Sequence, residues 1–161
     1  MDEKAKKHAL RLVPYGLYLA GSRHEDGRQV VSLASWFTQT SFAPPLCVVG
    51  LHREGAAFQA VQETGVLSLN ILGEGDAETL KGFYKHVDVA DGTAGALDVV
   101  DGEATGCPIL PALPAAIELK VVEITEGGDH AAVLCEVVGA VVHDEEAGAL
   151  THGAAGLHYA G

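Results

Sequence analysis

The sequence predicts a mainly β fold, a closed or partly open antiparallel barrel with two or more short helices. Apolar and polar residues alternate along most of its Val-, Ile- and Leu-rich segments, which is the pattern of strands. Turns rich in Gly and Asp join neighbouring segments into hairpins. A barrel is favoured because closure removes the exposed edges that a sheet of many strands would otherwise present. The length of 161 residues suffices for one well-buried core, so we expect a single domain over residues 1–161.

The first half of the chain is predicted to hold four strands and one helix. Residues 15–22 and 28–37 read as strands of a hairpin whose turn is residues 23–27. A continuous apolar strand follows at residues 46–51. Residues 56–64 then form a short helix that Gly65 ends, and residues 66–72 alternate as a strand.

The second half begins with a short helix at residues 77–84, for which Asp76 is the expected N-cap. Residues 86–106 are rich in Gly, Asp and Ala and are expected to form a long excursion. Two long strands, residues 115–124 and 130–142, are joined by a turn at residues 126–129. Residues 157–159 are predicted to add a last short strand.

Composition excludes several classes of partner. The formal net charge of −12 argues against nucleic acid or an anionic membrane. No apolar run approaches the roughly 18 residues that a membrane span needs, and the charged start does not resemble a signal peptide. The cysteines Cys47, Cys107 and Cys135 lack CxxC spacing and are expected to be reduced thiols. We therefore expect a soluble, cytoplasmic protein.

Familiar catalytic motifs are absent from the sequence. It contains neither GxGxxG nor GxxxxGK[ST], so a Rossmann or P-loop nucleotide site is not supported. It has no GxSxG elbow. The eight histidines show no HxH, HExxH or Cys/His ligand spacing, and we expect no metal site.

The segment between Ser32 and Pro45 is unusually polar for a strand. Around Trp36, the chain's only tryptophan, it carries five small hydroxyl or amide residues: Ser35, Thr38, Gln39, Thr40 and Ser41. A segment that only filled a core would not hold so many hydrogen-bonding groups. The pattern predicts a strand and bend, stopped by Pro44 and Pro45, that faces a polar, ring-shaped ligand.

Arg53 and His130 are the other candidate site residues. Arg53 lies at a strand-to-helix junction, where its guanidinium and free backbone N–H groups would suit a phosphate; the alternative is a solvated turn with Glu54 as neighbour. His130 follows a hairpin turn, where an imidazole suits proton or hydrogen-bond work; the alternative is an exposed turn histidine.

Five ordered blocks resemble one known family. They are GLYL at residues 16–19, ASWFTQTSFAPPL at 34–46, TGVLSLNIL at 64–72, GDH at 128–130 followed by Glu136 and Val137, and GLHYAG at 156–161. Together they resemble the flavin reductase-like domain, from about Leu12 to Gly161. The resemblance implies an FMN-binding split β-barrel, a Greek-key-like antiparallel barrel that forms a homodimer with FMN near the interface.

The resemblance also implies roles for individual residues. Contacts to the isoalloxazine ring and ribityl chain would come from Ala34, Ser35, Trp36, Phe37, Thr38 and Gln39. Ser41 and Arg53, with His52 beside it, would reach the phosphate, and His130 would be the catalytic candidate near the flavin or the incoming nicotinamide. The chain departs from the family at Glu54–Gly55 and at residues 20–22.

The function that the resemblance implies is NAD(P)H-dependent flavin reduction. FMN would be the cofactor and NAD(P)H the transient co-substrate, with electrons passing to free flavin or to a redox partner protein. An FMN electron carrier without enzymatic activity is the alternative, and a haem-binding split barrel is a third.

Overall fold

The computed structural model describes residues 1–157. Its α-helices are Glu3–Arg11 (α1), Ala56–Thr64 (α2) and Ala77–Leu80 (α3). Its strands are Tyr18–Arg23 (β1), Gln29–Ala34 (β2), Phe37–Phe42 (β3), Pro45–His52 (β4), Val66–Ile71 (β5), Val87–Asp88 (β6), Thr93–Ala94 (β7), Leu97–Asp98 (β8), Val100–Asp101 (β9), Pro108–Ile109 (β10), Ala115–Ile124 (β11) and His130–Val142 (β12). None of the helices in this described range combines the length and apolar character that crossing a membrane requires.

Eight strands form one antiparallel sheet in the order β3-β4-β12-β11-β5-β1-β2-β6. The pairs β9–β10 and β7–β8 form two further sheets of two strands each. The long hairpin β11–β12 lies in the middle of the large sheet, where β12 pairs with β4 and β11 pairs with β5.

The large sheet curves round into a barrel. In the strand order β1 and β3 are separated by four strands, yet the rings of Tyr18 and Phe37 lie with centroids 5.4 Å apart. Buried side chains of β1, β4, β5, β11 and β12 meet in one apolar cluster, in which Val49, Leu69 and Val133 are fully buried. The predictions of a mainly β fold and of a closed or partly open barrel are confirmed.

A second apolar cluster covers the outer face of β1 and β2. Leu19 and Val31 pack there with Leu80 and Phe83, which lie in and just after α3. Leu110, which follows β10, completes this contact. The predicted excursion over residues 86–106 is therefore packed structure: β6 extends the large sheet beside β2, and β7, β8 and β9 are short paired strands.

Several predicted elements have the bounds that the sequence indicated. Helix α2 ends at Gly65, whose backbone is left-handed with φ of 68° and whose N–H donates to Val61. Strands β11 and β12 begin and end where they were predicted, and β5 is one residue shorter. These elements are determined by local periodicity and by a glycine at a position that favours positive φ.

The predicted strand over residues 28–37 is wrong in its second half. Strand β2 ends at Ala34, and β3 begins separately at Phe37. Because β2 pairs with β1 while β3 pairs with β4, the residues between them must cross from one part of the sheet to another. Pro45 does not only end a strand, since it is the first residue of β4.

Three smaller predictions also need correction or lie outside the described range. Asp76 does not cap α3 with its side chain but accepts the Gly73 N–H at 2.7 Å, and α3 ends at Leu80 before a 3-10 turn. Helix α1 was not predicted; Asp2 caps it by accepting two backbone N–H groups. Of the last predicted strand, residues 158–159 lie outside the described residues.

Candidate functional site

A cavity of about 340 Å³ opens where β2 and β4 end and where α2 and β12 begin. This central cavity is lined mostly by apolar side chains and backbone, with a few polar groups. Its lining residues are Leu17, Ser32, Leu33, Ala34, Ser35, Trp36, Gly50, Leu51, His52, Gly55, Ala57, Phe58, Tyr84, His130, His152 and Leu157. Its size and mixed character are those of a small-molecule site.

An indole and two imidazoles meet on one wall of the central cavity. The rings of Trp36 and His130 have centroids 4.5 Å apart, and the ring of His52 lies edge-on to His130 at 4.9 Å. The register of β4 and β12 produces this contact, since His52 and His130 are directly opposite in that pair. The sheet therefore brings together three predicted site residues that lie far apart in the sequence.

Asp129 fixes the orientation of the His130 ring. The Nδ1 atom of His130 lies 2.9 Å from Oδ1 of Asp129. This hydrogen bond from His130 lowers the pKa of the Asp129 carboxyl. A carboxylate only accepts, so Nδ1 carries the proton, and in the neutral ring Nε2 is left with a lone pair.

The start of helix α2 forms another part of the cavity wall. Gly55 is its N-cap and provides no side-chain hydrogen bond to the first turn. Gly55, Ala57 and Phe58 all line the cavity. Backbone N–H groups of a first helical turn have no partner within the helix, so this end of the cavity suits an anion.

Arg53 lies behind this wall and supports the β11–β12 turn. Its Nε donates to the Gly128 carbonyl at 3.1 Å, and its Nη2 donates to the carbonyls of Thr125 and Gly127 at 2.6 and 3.1 Å. Its guanidinium also lies 5.7 Å above the Phe58 ring. Arg53 thus holds the turn that precedes His130, and its predicted contact with a phosphate stays a prediction.

A second cavity of about 550 Å³ adjoins the central one. Trp36, Gly50 and His130 line both cavities, and Phe37 and Thr38 line the second. Of the predicted cofactor-binding residues, the structure places Ala34, Ser35, Trp36, Phe37, Thr38 and His52 along these two cavities.

Besides Arg53, the predicted residues that line neither cavity are Gln39 and Ser41. They lie farther along the β3–β4 hairpin, where Gln39 Nε2 donates to the Ser41 carbonyl at 3.2 Å. The fold does not bring them to the site within one chain.

Sequence analysis missed other lining residues, among them Ser32, Tyr84 and His152. Tyr84 follows the 3-10 turn and is exposed, whereas His152 is buried with its ring edge-on to Tyr15. The Ser32 hydroxyl is buried and has no hydrogen-bond partner among residues 1–157. Such a hydroxyl in a cavity wall is suited to a polar ligand. Ser32 begins the polar segment around Trp36, whereas Tyr84 and His152 stand in no motif and no local pattern signals them.

The chain is similar to known flavin reductases and their relatives. Residues 10–161 match the family model described as flavin reductase like domain. The actinorhodin polyketide dimerase of Streptomyces coelicolor is 31% identical over 91% of this chain and 80% of its own length. The NADH-dependent FAD reductase of Streptomyces globisporus is 29% identical over 66% of this chain and 59% of its length.

Solved structures agree on the fold. The NADH:FAD oxidoreductase SgcE6 of Streptomyces globisporus superposes with a TM-score of 0.77 at 22% identity, over 94% of this chain and 90% of that one. The chain spans between 22% and 59% of the length of four curated relatives, the S. globisporus reductase among them. With the family model matched over nearly its whole length, the chain belongs to the flavin reductase-like domain family.

Proposed function

We propose that this protein is an NAD(P)H-dependent flavin reductase whose bound flavin is FMN. The observation that carries the proposal is the pair of cavities around Trp36 and His130, with an indole and two imidazoles on the wall. No acidic residue of the described range lines either cavity, although the chain has 22 acidic residues. This arrangement suits a planar, anionic ligand better than a cationic one.

The residues present fit a flavin. The backbone and hydroxyls of residues 34–36 would run beside the ring system, and Ser32 offers a buried hydroxyl without another partner in residues 1–157. The uncapped start of α2, with His52 adjacent, would hold the phosphate. When bound, the flavin supplies hydride acceptance from a nicotinamide and onward electron transfer.

The side chains of this site bind, orient and exclude water; none is needed as a nucleophile. Trp36 would form an apolar wall for the ring. His130, held by Asp129, would present Nε2 toward the bound molecules, where it can accept a hydrogen bond or a proton. Arg53 keeps the turn before His130 in place through its three carbonyl partners.

We also propose that the site is completed by a second copy of the chain. Phe42, near the tip of the β3–β4 hairpin, is 91% exposed, which is unusual for so large an apolar side chain. Gln39 and Ser41 lie on the same hairpin and line neither the central nor the second cavity of their own chain. In a homodimer this hairpin would carry them to the partner's flavin.

We further infer a reducing, cytoplasmic setting. Cys47, Cys107 and Cys135 are buried free thiols, and burial raises their pKa to about 11, 11 and 12. Unpaired thiols of this kind are typical of reducing compartments.

A rapid-mixing experiment tests the enzymatic proposal. Protein loaded with FMN is mixed without oxygen with NADH or NADPH, and the flavin absorbance is followed. A reductase bleaches the flavin quickly with at least one of them. Slow or absent bleaching, with full bleaching by dithionite, supports instead an FMN electron carrier. The net charge of −12 would suit such a carrier docking on a basic partner.

His130→Ala tests the role of the imidazole within the same experiment. We expect slower flavin bleaching by about 10- to 100-fold, because a positioned acid or base is typically worth 10²–10⁴-fold and here only assists hydride transfer. FMN should stay bound, as its contacts lie mostly elsewhere in the cavity. An unchanged bleaching rate would remove His130 from the mechanism.

A further inference from the structure

A third cavity adjoins the two cavities of the site. This third cavity, of about 290 Å³, lies between the end of α1 and residues 151–157. It shares His152 and Leu157 with the central cavity, and Val13, Pro14 and Tyr15 with the second. The three cavities therefore adjoin one another, and together they are called the groove, which extends from the start of α2, past His130, to the end of α1.

The groove is lined by basic and neutral side chains and by no acidic ones from the described residues. Its ionisable lining side chains are Arg11, His52, His130, His152 and Tyr residues, and no carboxylate of residues 1–157 lines it. Arg11 is the only lysine or arginine of the described chain among them. In a protein with a net charge of −12, a long groove without carboxylates is suited to a polyanion.

Arg11 is available to such a ligand. It stands in the last turn of α1 and is exposed, and its side chain makes no hydrogen bond or ion pair within residues 1–157. Arg53, the other arginine near the groove, already donates to three backbone carbonyls. A free guanidinium offers the forked donors that bind phosphate groups bidentately.

We propose that the third cavity binds the pyrophosphate of a dinucleotide, with Arg11 as its contact. The inference rests on the proposed function, since a dinucleotide lying along the groove would have its redox-active ring at His130. Pro14 and the half-buried Tyr15 would form an apolar wall for the adenosine half. Both NADH and FAD contain this pyrophosphate, so the recognising chemistry is shared between them. FAD bound in this way would have its phosphates toward the end of α1, the reverse of the direction proposed above for FMN.

Substitutions of Arg11 test the proposal and distinguish NADH from FAD as the dinucleotide that supplies the pyrophosphate. Arg11→Glu and Arg11→Lys are compared with Lys120→Glu, which exchanges a basic for an acidic side chain at an exposed position of β11 that lines none of the three cavities. The KM is measured for NADH and for 1-benzyl-1,4-dihydronicotinamide, which lacks phosphates. Dissociation constants are measured for FAD and for FMN.

We expect Arg11→Glu to weaken one dinucleotide by about tenfold or more, the loss typical of one charge-assisted contact. A higher KM for NADH, with the benzyl analogue unchanged, identifies NADH as the ligand. Weaker FAD binding with unchanged FMN binding identifies FAD. Arg11→Lys should recover part of the loss, and Lys120→Glu should behave as the unaltered protein.

Two further outcomes are decisive. If Arg11→Glu leaves the binding of both NADH and FAD unaffected, or weakens it no more than Lys120→Glu does, the proposal is overturned. If the unaltered protein oxidises neither NADH nor NADPH, the proposed reductase function fails. The comparison of FAD with FMN binding still decides the role of Arg11 in that case, so the two failures are distinguishable.

Discussion

Gly50 and Trp36 are in such close contact that one methyl group between them should disturb the site. An ideal Cβ at Gly50 would lie 2.9 Å from Cβ and 2.9 Å from Cε3 of Trp36. The Gly50 N–H also donates to the Trp36 carbonyl at 2.7 Å, which ties the two backbones together. Since one of the clashing atoms is the tryptophan Cβ, rotation of the ring alone cannot relieve the contact.

Gly50→Ala should therefore displace Trp36. Overpacking of this kind typically lowers the free energy of unfolding by about 1–3 kcal/mol. Because Gly50 and Trp36 line both the central and the second cavity, flavin binding should weaken as well.

Urea unfolding followed by tryptophan fluorescence measures the first effect, since Trp36 is the chain's only tryptophan. Flavin titration measures the second. Gly82→Ala is the matched control, because a Cβ there meets no atom within 4 Å. If Gly50→Ala unfolds at the same urea concentration as the unaltered protein and binds flavin equally well, the packing argument is refuted.

Three other substitutions test the account. Arg53→Lys should weaken FMN and riboflavin binding alike, since Arg53 holds a turn; a loss confined to FMN would indicate a phosphate contact instead. The hydrogen bond from His24 lowers the pKa of Glu63, so Glu63→Gln should lower the urea midpoint at neutral pH. That difference should disappear as the pH falls through the lowered pKa, and a constant difference would contradict it. Phe42→Glu should give monomers in sedimentation and weaken flavin binding, whereas Val100→Glu, at another exposed apolar position, should do neither.

The sequence predicts those parts of the fold whose determinants are local. Helix α2 with Gly65, and the strands β11 and β12, follow from periodicity and turn residues within a few positions. The division between β2 and β3 is not local. It depends on β2 pairing with β1 while β3 pairs with β4. The alternation of apolar and polar residues along residues 28–37 does not indicate that the chain changes its pairing partner.

The same distinction holds for the site. The polar segment around Trp36 stands out in the sequence, and the structure places most of it along the cavities. The contact between His52 and His130 follows from the register of β4 and β12, which no local pattern contains. Tyr84 and His152 reach the site only through tertiary packing, as isolated residues near turns and loops.

Anaerobic mixing of the FMN-loaded protein with NADH or NADPH is the most direct test of the proposed flavin reductase activity. We expect rapid loss of the oxidised-flavin absorbance with at least one nicotinamide, and a slower loss in His130→Ala. Flavin that stays oxidised with both nicotinamides, yet is reduced at once by dithionite, would contradict the claim that this site is a reductase.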